Sequence, residues 1–419
     1  MRNLGASNTR ADLDPARDPL ANPNFPGTPP WNPNGTSGWT SVTDFCGSVF
    51  AAQLGASGTL LQYGGAGHSA INALFWIGFD LATLTWRRYG QRPLPTNALA
   101  GYRTGTVPDP AAFDHEWGDW DGGWTGFPEA FRQPGVRVPE GGHTRNSFAY
   151  RPPGSSGNRA GQVIIGWHAT GGNSGTGVAT QHTWDADSML WSRHANRRPN
   201  FGSSVGALVY HEALDVVTGP CVDFSSAAIA MDVFDCRTRT WARRSMSSGG
   251  RGHRIDSTGF SWRDASGACW HVVCQHWGDL WPPMQFYAVK ADDLAANRPT
   301  PWLDLNVSAD SYPADRNRFT YTVSWARCPV DGCYYAVNRE QGSRLLWRLV
   351  PPASGDLRGN WVITAETLSG EPLDGRRANG VGSTAFDYSR LQWAPALSAF
   401  LWTSDFVGAD VQAIRPGGI

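Results

Sequence analysis

The chain has 419 residues, and its composition excludes several classes of protein. The 49 glycines and 29 prolines disfavour long helices and coiled coils, because both residues break helix interiors. The charges of the 35 basic and 36 acidic side chains nearly cancel. The chain therefore lacks the excess of basic residues that is typical of a nucleic-acid-binding protein. The chain has no apolar run long enough for a membrane-spanning helix. Its first residues also lack the apolar stretch that is typical of a secretion signal. We therefore expect a globular protein that is made in the cytoplasm and is not inserted into a membrane.

The first part of the chain differs in composition from the rest. Residues 1–37 are rich in proline and in turn-forming dipeptides, which predicts an extended arm without a core of its own. Residues 38–44 then form a short stretch that is typical of a strand and contains Trp39. We expect the arm to contact other proteins of a larger assembly, such as a phage or phage-like particle.

Three segments share one ending: an aromatic residue, Asp, five further residues and Trp. They span residues 79–86, 184–191 and 234–241. An Asp side chain can accept a hydrogen bond from the backbone two residues on, which indicates a tight turn. The Trp then falls in the next strand, where its broad ring can pack between neighbouring sheets. Strand-like runs precede each ending, so each repeat predicts four short antiparallel strands.

Looser copies of the repeat follow at 257–305 and 319–367. A final copy has only three predicted strands, 383–388, 399–403 and 410–414, and residues 38–44 would supply the fourth. Such closure removes an open sheet edge. Six Trp-bearing fourth strands therefore predict an all-β, six-bladed β-propeller over residues 38–419, at Trp39, Trp86, Trp191, Trp241, Trp302 and Trp361. Seven blades are the alternative, with residues 91–139 as the additional blade.

The Gly64-Gly65 doublet, the Phe79-Asp80 pair and Trp86 resemble a kelch repeat of the galactose-oxidase-like propellers. The resemblance implies a divergent, kelch-like propeller. It does not imply one function, because propellers of this shape include enzymes, binding modules and virion proteins. The copper-radical oxidases of this superfamily need a Cys–Tyr crosslink with further Tyr and His ligands. No residue set here matches that pattern, so we expect no cofactor.

Residues 91–139 form an insertion between the first two blades. Loops of this length are usually functional or disordered, and three Trp residues within a short acidic stretch argue against disorder. The acidic side chains could bind a hard cation such as calcium or form a solvated lid, namely Asp114, Glu116, Asp119 and Asp121. We favour the lid, which could also cover a basic face, and predict no metal site.

Polar residues concentrate in two sets of predicted loops that open on one face of a propeller. These loops join strand two to strand three, or enter strand one from the previous blade, and they hold five of the ten His residues. The candidate ligand-binding residues are His68, His143, Arg145, His168, His253, Arg254, His276, Arg316, Arg318, Trp120 and Trp124. Arg suits carboxylates or sulfates, His suits hydroxyls, and Trp can stack on sugar rings. Alternatively, these His and Arg residues tie neighbouring blades together.

This pattern predicts a recognition propeller for a carbohydrate or a cell-surface receptor, as a structural component of a particle. The alternative is a polysaccharide-active enzyme. In a lyase, His68 or His143 would remove the proton alpha to a uronate carboxylate, which Arg145 or Arg254 would hold. A hydrolase needs a pair of carboxylates, and Glu340 and Asp405 are the available ones on this face. The sequence leaves the catalytic residues open.

The seven cysteines leave at least one thiol unpaired within a monomer. Cys328 and Cys333 flank the turn at residues 329–332 and could face each other across a hairpin. A reduced, structural role is the favoured interpretation, and a disulfide between these two residues is the alternative.

Overall fold

A computed structural model describes the following parts of the chain. They are residues 1–10, 47–63, 76–89, 146–154, 159–166, 182–188, 190–193, 204–205, 207–223, 226–247, 258–276, 284–309, 325–337, 342–374, 390–404 and 408–417. Their strands form six sheets of four or five strands each, and each sheet is one blade of an all-β propeller. The prediction of six blades is confirmed.

The strands are numbered β1 to β26 in chain order. The first strand, β1, is Arg2–Asn3. Blade one contains β2 Ser48–Ala51, β3 Thr59–Tyr63, β4 Trp76–Asp80 and β5 Thr85–Tyr89. Blade two contains β6 Phe148–Arg151, β7 Gln162–Ile165, β8 His182–Asp185 and β9 Leu190–Arg193. Blade three contains β10 Ser204–Val205, β11 Val209–His211, β12 Val216–Asp223, β13 Ser226–Asp235 and β14 Thr240–Ser245.

The second half of the ring follows the same plan. Blade four contains β15 Thr258–Arg263, β16 Cys269–His276, β17 Met284–Lys290, the short helix α1 Ala291–Ala295 and β18 Leu303–Asp304. Blade five contains β19 Asn306–Ala309, β20 Ala326–Arg327, β21 Tyr334–Val337, β22 Leu345–Val350 and β23 Asn360–Thr367. Blade six contains β24 Gln392–Ala394, a 3-10 turn at Pro395–Leu397, β25 Ala399–Trp402 and β26 Gln412–Ile414.

Six hydrophobic clusters fill the interfaces between neighbouring blades, one for each interface. The Trp residues that end the repeats lie in them: Trp86 is 1% exposed, Trp241 3% and Trp361 0%. Trp86 packs against Phe79, with ring centroids 5.3 Å apart. The apolar faces of the sheets are therefore buried against each other around the ring, which supplies its main stabilisation.

The predicted Asp turns are confirmed in the three clearest repeats. Oδ1 of Asp80, Asp185 and Asp235 each accepts hydrogen bonds from the backbone N–H groups two and three residues on. Leu84 and Arg239 occupy the same repeat position and have positive φ values of 52° and 58°. The three repeats thus share a short turn that is stabilised from within its own sequence.

Blades four and five are joined by more than side-chain packing. β19 follows β18 directly in the chain, and it pairs in parallel with the outer strand β23 of the next blade. Asn306 lies opposite Asn360 in this pairing, and Ala309 lies opposite Ile363. The fifth strand of blade five was not predicted from the repeats.

The ring is closed by β1, which pairs with β26 as the outer strand of blade six. The prediction of residues 38–44 in this position is therefore wrong, although closure by an N-terminal strand is right. Residues 38–44 and the predicted strand 383–388 lie outside the described residues, and β24 is the first strand of blade six.

Residues 1–10 form what we call the N-terminal strap. Gly5 and Ala6 donate backbone hydrogen bonds to the Asp410 carboxylate (2.8 and 3.2 Å), and the Asn8 side chain bonds both the N–H and the carbonyl of Trp86. The Met1 carbonyl accepts a bond from Glu371 N–H at 3.0 Å. The strap thus connects blades five, six and one. The prediction of an arm outside the ring is wrong for these ten residues; residues 11–37 lie outside the described part.

Candidate functional site

The antiparallel order of the strands defines two faces of the ring. The first strands of the blades all begin on one face, which we call the upper face, and the second strands end there. Neighbouring first strands contact one another, for example β2 with β6 and with β24, so they surround the central axis. The upper face is therefore where the connections from strand two to strand three meet those that enter strand one.

Of the predicted ligand-binding residues, only His276 belongs to a described strand. It is the last residue of β16, and its backbone pairs with that of Met284 at the upper face. The other predicted ligand-binding residues lie outside the described residues: His68, His143, Arg145, His168, His253, Arg254, Arg316, Arg318, Trp120 and Trp124. The same is true of Glu340, Asp405 and the four acidic residues of the insertion. All of these assignments stay predictions.

Arg10, the last residue of the strap, has a buried guanidinium at the junction of blades six and one. Arg10 is 0% exposed, and it donates from Nη1 to Gln62 Oε1 at 3.0 Å and from Nη2 to the Ser404 carbonyl at 2.9 Å. Its guanidinium carbon lies 4.9 Å from the ring centroid of Trp86. Gln62 is the penultimate residue of the second strand β3, and Ser404 follows the second strand β25, so this group lies on the upper side of the ring. No sequence pattern marks Arg10, which lies in a segment without periodicity.

Three buried polar atoms on the upper side of blades six, one and two have unused hydrogen-bonding capacity. They are Nε2 of Gln62, Oγ1 of Thr403 and Oγ of Ser147, and none has a hydrogen-bond partner in the described part of the chain. All three side chains are at most 1% exposed. A buried polar atom without a partner is uncommon in a native protein and requires an explanation.

The corresponding positions of the neighbouring blades are apolar. Leu208 and Trp325 precede first strands as Ser147 does, and Val337 ends a second strand. All three are buried hydrophobic residues. Blade four differs from these two blades, because the buried polar residue Thr258 begins β15 and His276 ends β16.

The lower face carries an ion pair between blades two and three. Arg151 donates from Nε and Nη2 to the two carboxylate oxygens of Asp215 at 2.7 and 2.6 Å, and the Tyr210 hydroxyl donates to the same carboxylate at 3.0 Å. Burial raises the pKa of Asp215, but the bonds from Arg151 and Tyr210 outweigh it, so the pKa is lowered. Arg151 therefore ties two blades together, the role that the sequence analysis kept as the alternative for loop residues.

Two histidines that were not singled out from the sequence lie in the interface between blades three and four. His211 Nε2 is 2.8 Å from Thr218 Oγ1, which is 2.6 Å from His271 Nδ1, and His211 Nδ1 is 3.0 Å from Ser261 Oγ. Both rings are 0% exposed, and burial lowers the pKa of His211 to about 3. This network joins two blades. Its members lie in separate strands and meet only in the fold, so no local pattern signals them.

Among the residues that the structure describes, no group of three His, Cys, Asp or Glu side chains could hold a metal ion. Within the same residues, no helix is both long and apolar enough to cross a membrane. All five cysteines whose side chains are described are free thiols: Cys236, Cys269, Cys274, Cys328 and Cys333.

No protein-family model matches the chain, and no curated protein matches its sequence. Several solved structures are similar at low identity. An α-L-arabinanase from Penicillium chrysogenum, complexed with arabinobiose, has a TM-score of 0.44 and 11% identity, covering 91% of this chain and 95% of that one. An α-L-arabinofuranosidase from Fusarium graminearum has a TM-score of 0.43 and 10% identity, covering 88% and 97%.

Hydrazine synthase from Kuenenia stuttgartiensis is also similar, with a TM-score of 0.37 and 9% identity over 86% of this chain and 90% of that one. These neighbours differ in the reactions that their names describe. Similarity at this level carries no argument about function, and it shows no kelch or galactose-oxidase family for this chain. The chemistry of the upper face has to be argued from its own residues.

Proposed function

We propose that the protein binds a carbohydrate on its upper face. The observation that carries the proposal is the set of unpartnered buried atoms Gln62 Nε2, Thr403 Oγ1 and Ser147 Oγ. An amide nitrogen donates a hydrogen bond, and a hydroxyl both donates and accepts. Sugar hydroxyls also donate and accept, so one class of ligand can satisfy all three atoms. The predicted His and Arg residues lie in or directly beside connections between upper strand ends, and Trp120 and Trp124 lie in the insertion between blades one and two. They add groups suited to carboxylates and sugar rings.

We further propose that the bound polysaccharide is a substrate, in preference to a receptor recognised by a particle. The particle hypothesis requires residues 1–37 to be an attachment arm, whereas the first ten of these residues pair with or bond to blades of the ring. Arabinan is included among the compounds to test because two of the similar solved structures are named an α-L-arabinanase and an α-L-arabinofuranosidase. The role in a phage-like particle stays a prediction without support from the described residues.

Binding and cleavage can be tested together with the intact protein. A panel of acidic polysaccharides and arabinan is incubated with it, and binding is followed by affinity electrophoresis. Lyase action appears as absorbance of unsaturated products, and hydrolysis appears as new reducing ends. Binding with either product supports an enzyme, binding without product supports a recognition module, and no binding to any member of the panel contradicts the proposal.

Substitution of two predicted residues tests the position of the site. Arg145→Ala and Arg254→Ala should each weaken binding of an acidic polysaccharide by about 1.5–3 kcal/mol if they meet its charged groups, with an unchanged unfolding temperature. Arg237→Ala is the matched control, because its side chain is 67% exposed on a lower-face turn. If the two variants lose stability while binding survives, these arginines tie blades together, and the upper-face assignment is wrong.

A further inference from the structure

We infer that Cys328 and Cys333 form a site of reversible thiol oxidation, in which the two residues close into a disulfide across the inner hairpin of blade five. This inference is independent of the proposed carbohydrate function. It starts from the register of β20 and β21, in which Ala326 faces Tyr335 and Arg327 faces Tyr334. The next pair in that register is Cys328 and Cys333.

The backbone holds this pair at the separation that a disulfide needs. Cys328 N–H donates to the Cys333 carbonyl at 2.8 Å, and Gly332 N–H donates to the Cys328 carbonyl at 3.0 Å, which closes the turn over residues 329–332. Directly opposed, hydrogen-bonded residues of antiparallel strands have Cα atoms about 5.5 Å apart. Disulfides span Cα distances of about 4.4–6.8 Å. The bond therefore requires side-chain rotation with little movement of the backbone.

Both thiols also emerge on one face of the hairpin. Cys328 and Cys333 belong to the same hydrophobic cluster between blades five and six, together with Tyr335 and Val337. Tyr334 and Ala336, the alternate residues of β21, lie in the cluster toward blade four. Two thiols on the same face of directly opposed residues are neighbours in space.

The direct opposition of the two thiols favours a closed disulfide over a single modified thiol. Cys328 is 0% and Cys333 3% exposed, and burial raises the pKa of both thiols, so attack by either on a small-molecule disulfide is slow. Once one of them is linked to that molecule, the opposed thiol attacks the mixed disulfide within the same hairpin. The mixed species therefore does not accumulate.

The reaction balances with a small-molecule disulfide as oxidant, such as oxidised glutathione. The first Cys sulfur bonds to one sulfur of the oxidant and releases the other half as a thiol. The second Cys sulfur then displaces the remaining half, which also leaves as a thiol. The protein loses two electrons and two protons, the S–S bond of the oxidant is reduced, and an excess of dithiol reverses the change.

Peptide mass mapping of the folded full-length chain gives a direct test. After incubation with oxidised glutathione, the protein is unfolded in iodoacetamide and digested with trypsin, which cuts after Arg327 and Arg339. Peptide 328–339 carries both cysteines. We expect it to be lighter by two hydrogens than the reduced peptide and to take up no iodoacetamide. Dithiothreitol treatment should restore two alkylated thiols, and near-UV circular dichroism should show the native state throughout.

Two comparisons make the result specific. The free buried thiols Cys236, Cys269 and Cys274 should remain alkylatable in the same sample, and in Cys328→Ser the remaining Cys333 should be alkylated or carry a glutathione adduct, with no loss of two hydrogens. The oxidised wild-type protein should unfold at a higher temperature than its reduced form, and the variant should show no such difference. A peptide that stays fully reduced, a glutathione adduct on one thiol, or a disulfide that forms only after unfolding would overturn the inference.

Discussion

At the scale of single residues, buried polar side chains connect neighbouring blades. Arg151 of blade two holds Asp215 of blade three, and His211 of blade three contacts Ser261 of blade four. The Tyr334 hydroxyl of blade five donates to the Ser261 carbonyl at 2.6 Å. Each connection fixes the position of one sheet against the next, while the apolar clusters supply most of the energy.

Removing an unpartnered hydroxyl from the upper rim should separate ligand binding from stability. Thr403→Val keeps the shape of the side chain and removes the Oγ1 atom that lacks a partner in the described part of the chain. We expect an unchanged or slightly higher free energy of unfolding, because a buried polar group without a partner is costly. Binding of the polysaccharide identified by the panel should weaken by about 0.5–1.5 kcal/mol.

The matched control is Thr218→Val, which alters an equally buried hydroxyl that is bonded to His211 and His271. This variant should lose stability and, if folded, keep its affinity. A Thr403→Val protein with a clear loss of stability and unchanged binding would show that this hydroxyl has a structural partner and no ligand.

Stability should fall in mild acid because His211 is buried as the neutral ring. Its pKa is about 3 in the folded protein and about 6.5 in an unfolded chain. The unfolded chain therefore binds a proton that the folded one does not, and this contribution to stability is lost as the pH falls from about 6.5 toward 3. The expected slope is up to about 1.4 kcal/mol per pH unit. Urea unfolding at several pH values between 7 and 4.5 measures it.

His211→Gln identifies the group responsible, since glutamine does not titrate. The slope of unfolding free energy against pH should decrease by about one proton equivalent, whatever the stability of the variant at pH 7. His271 contacts the same Thr218, so the double variant with His271→Gln should be compared as well. A slope that is unchanged in both variants would assign the acid sensitivity to other groups.

At the scale of elements, two kinds of strand contact differ in how far they could be predicted. The Asp turns and their Trp strands are local, because Asp80 bonds to residues two and three positions away, and the sequence pattern predicted them correctly. The parallel pairing of β19 and the closing role of β1 depend on partners far along the chain. A two-residue strand such as β1 is too short to show a periodic pattern, whereas residues 38–44 have the pattern of a strand and are predicted in its place.

The candidate site was predicted less completely for a related reason. Loop His and Arg residues can be recognised from their positions in the repeat, but their partners cannot. Gln62 stands next to Leu60 and Leu61 in an otherwise apolar run, which is the one sequence signal that could have marked it. The hydrogen bond from Arg10 to Gln62 joins residues 52 positions apart and forms only in the folded chain.

A glycine pair tests how closely the strap has to approach blade five. Gly370 has a φ of +92°, and a Cβ there would overlap the Met1 carbonyl oxygen. Gly342 has a φ of +82°, and a Cβ there would meet nothing within 4 Å. Both alanine substitutions strain the backbone by about 1 kcal/mol, but only Gly370→Ala also displaces the strap.

Gly370→Ala should therefore destabilise the protein by at least about 1 kcal/mol more than Gly342→Ala in urea unfolding. Limited proteolysis should also cut the first ten residues faster in Gly370→Ala. Equal effects of the two substitutions on both measurements would mean that the strap tolerates displacement at this point.

At the scale of the whole molecule, the strap joins blades six and one and completes the ring. Each interface between blades has its own hydrophobic cluster, and the interface of blades six and one also includes Leu4 and Ala6 of the strap. The backbone of the strap bonds to Asp410 and Val411 on blade six and to Leu84 on blade one. The strap thus adds backbone hydrogen bonds and apolar contacts to the interface between blades six and one.

Deletion of residues 1–10 should lower the unfolding temperature of the whole ring by at least about 5 °C, because it uncovers the edge of blade six and part of an apolar cluster. Differential scanning calorimetry measures the shift. A synthetic peptide of residues 1–10 should restore part of it, since a ligand of the folded state raises apparent stability. Ser7→Ala is the control for a mild change in the strap. An unchanged unfolding temperature after deletion would contradict the proposed closure.

The strap also has a consequence for the order in which the protein can be completed on the ribosome. Gly5 bonds to Asp410, 405 positions later in the chain, so the strap, which is synthesised before blade six, can take its place only after blade six has emerged. Contacts so distant in sequence form slowly, because the ends of a long loop must meet before the contact stabilises anything. Until then the nascent ring exposes a strand edge and an apolar joint at one position. That interval is when the newly made protein is most exposed to pairing with the wrong chain.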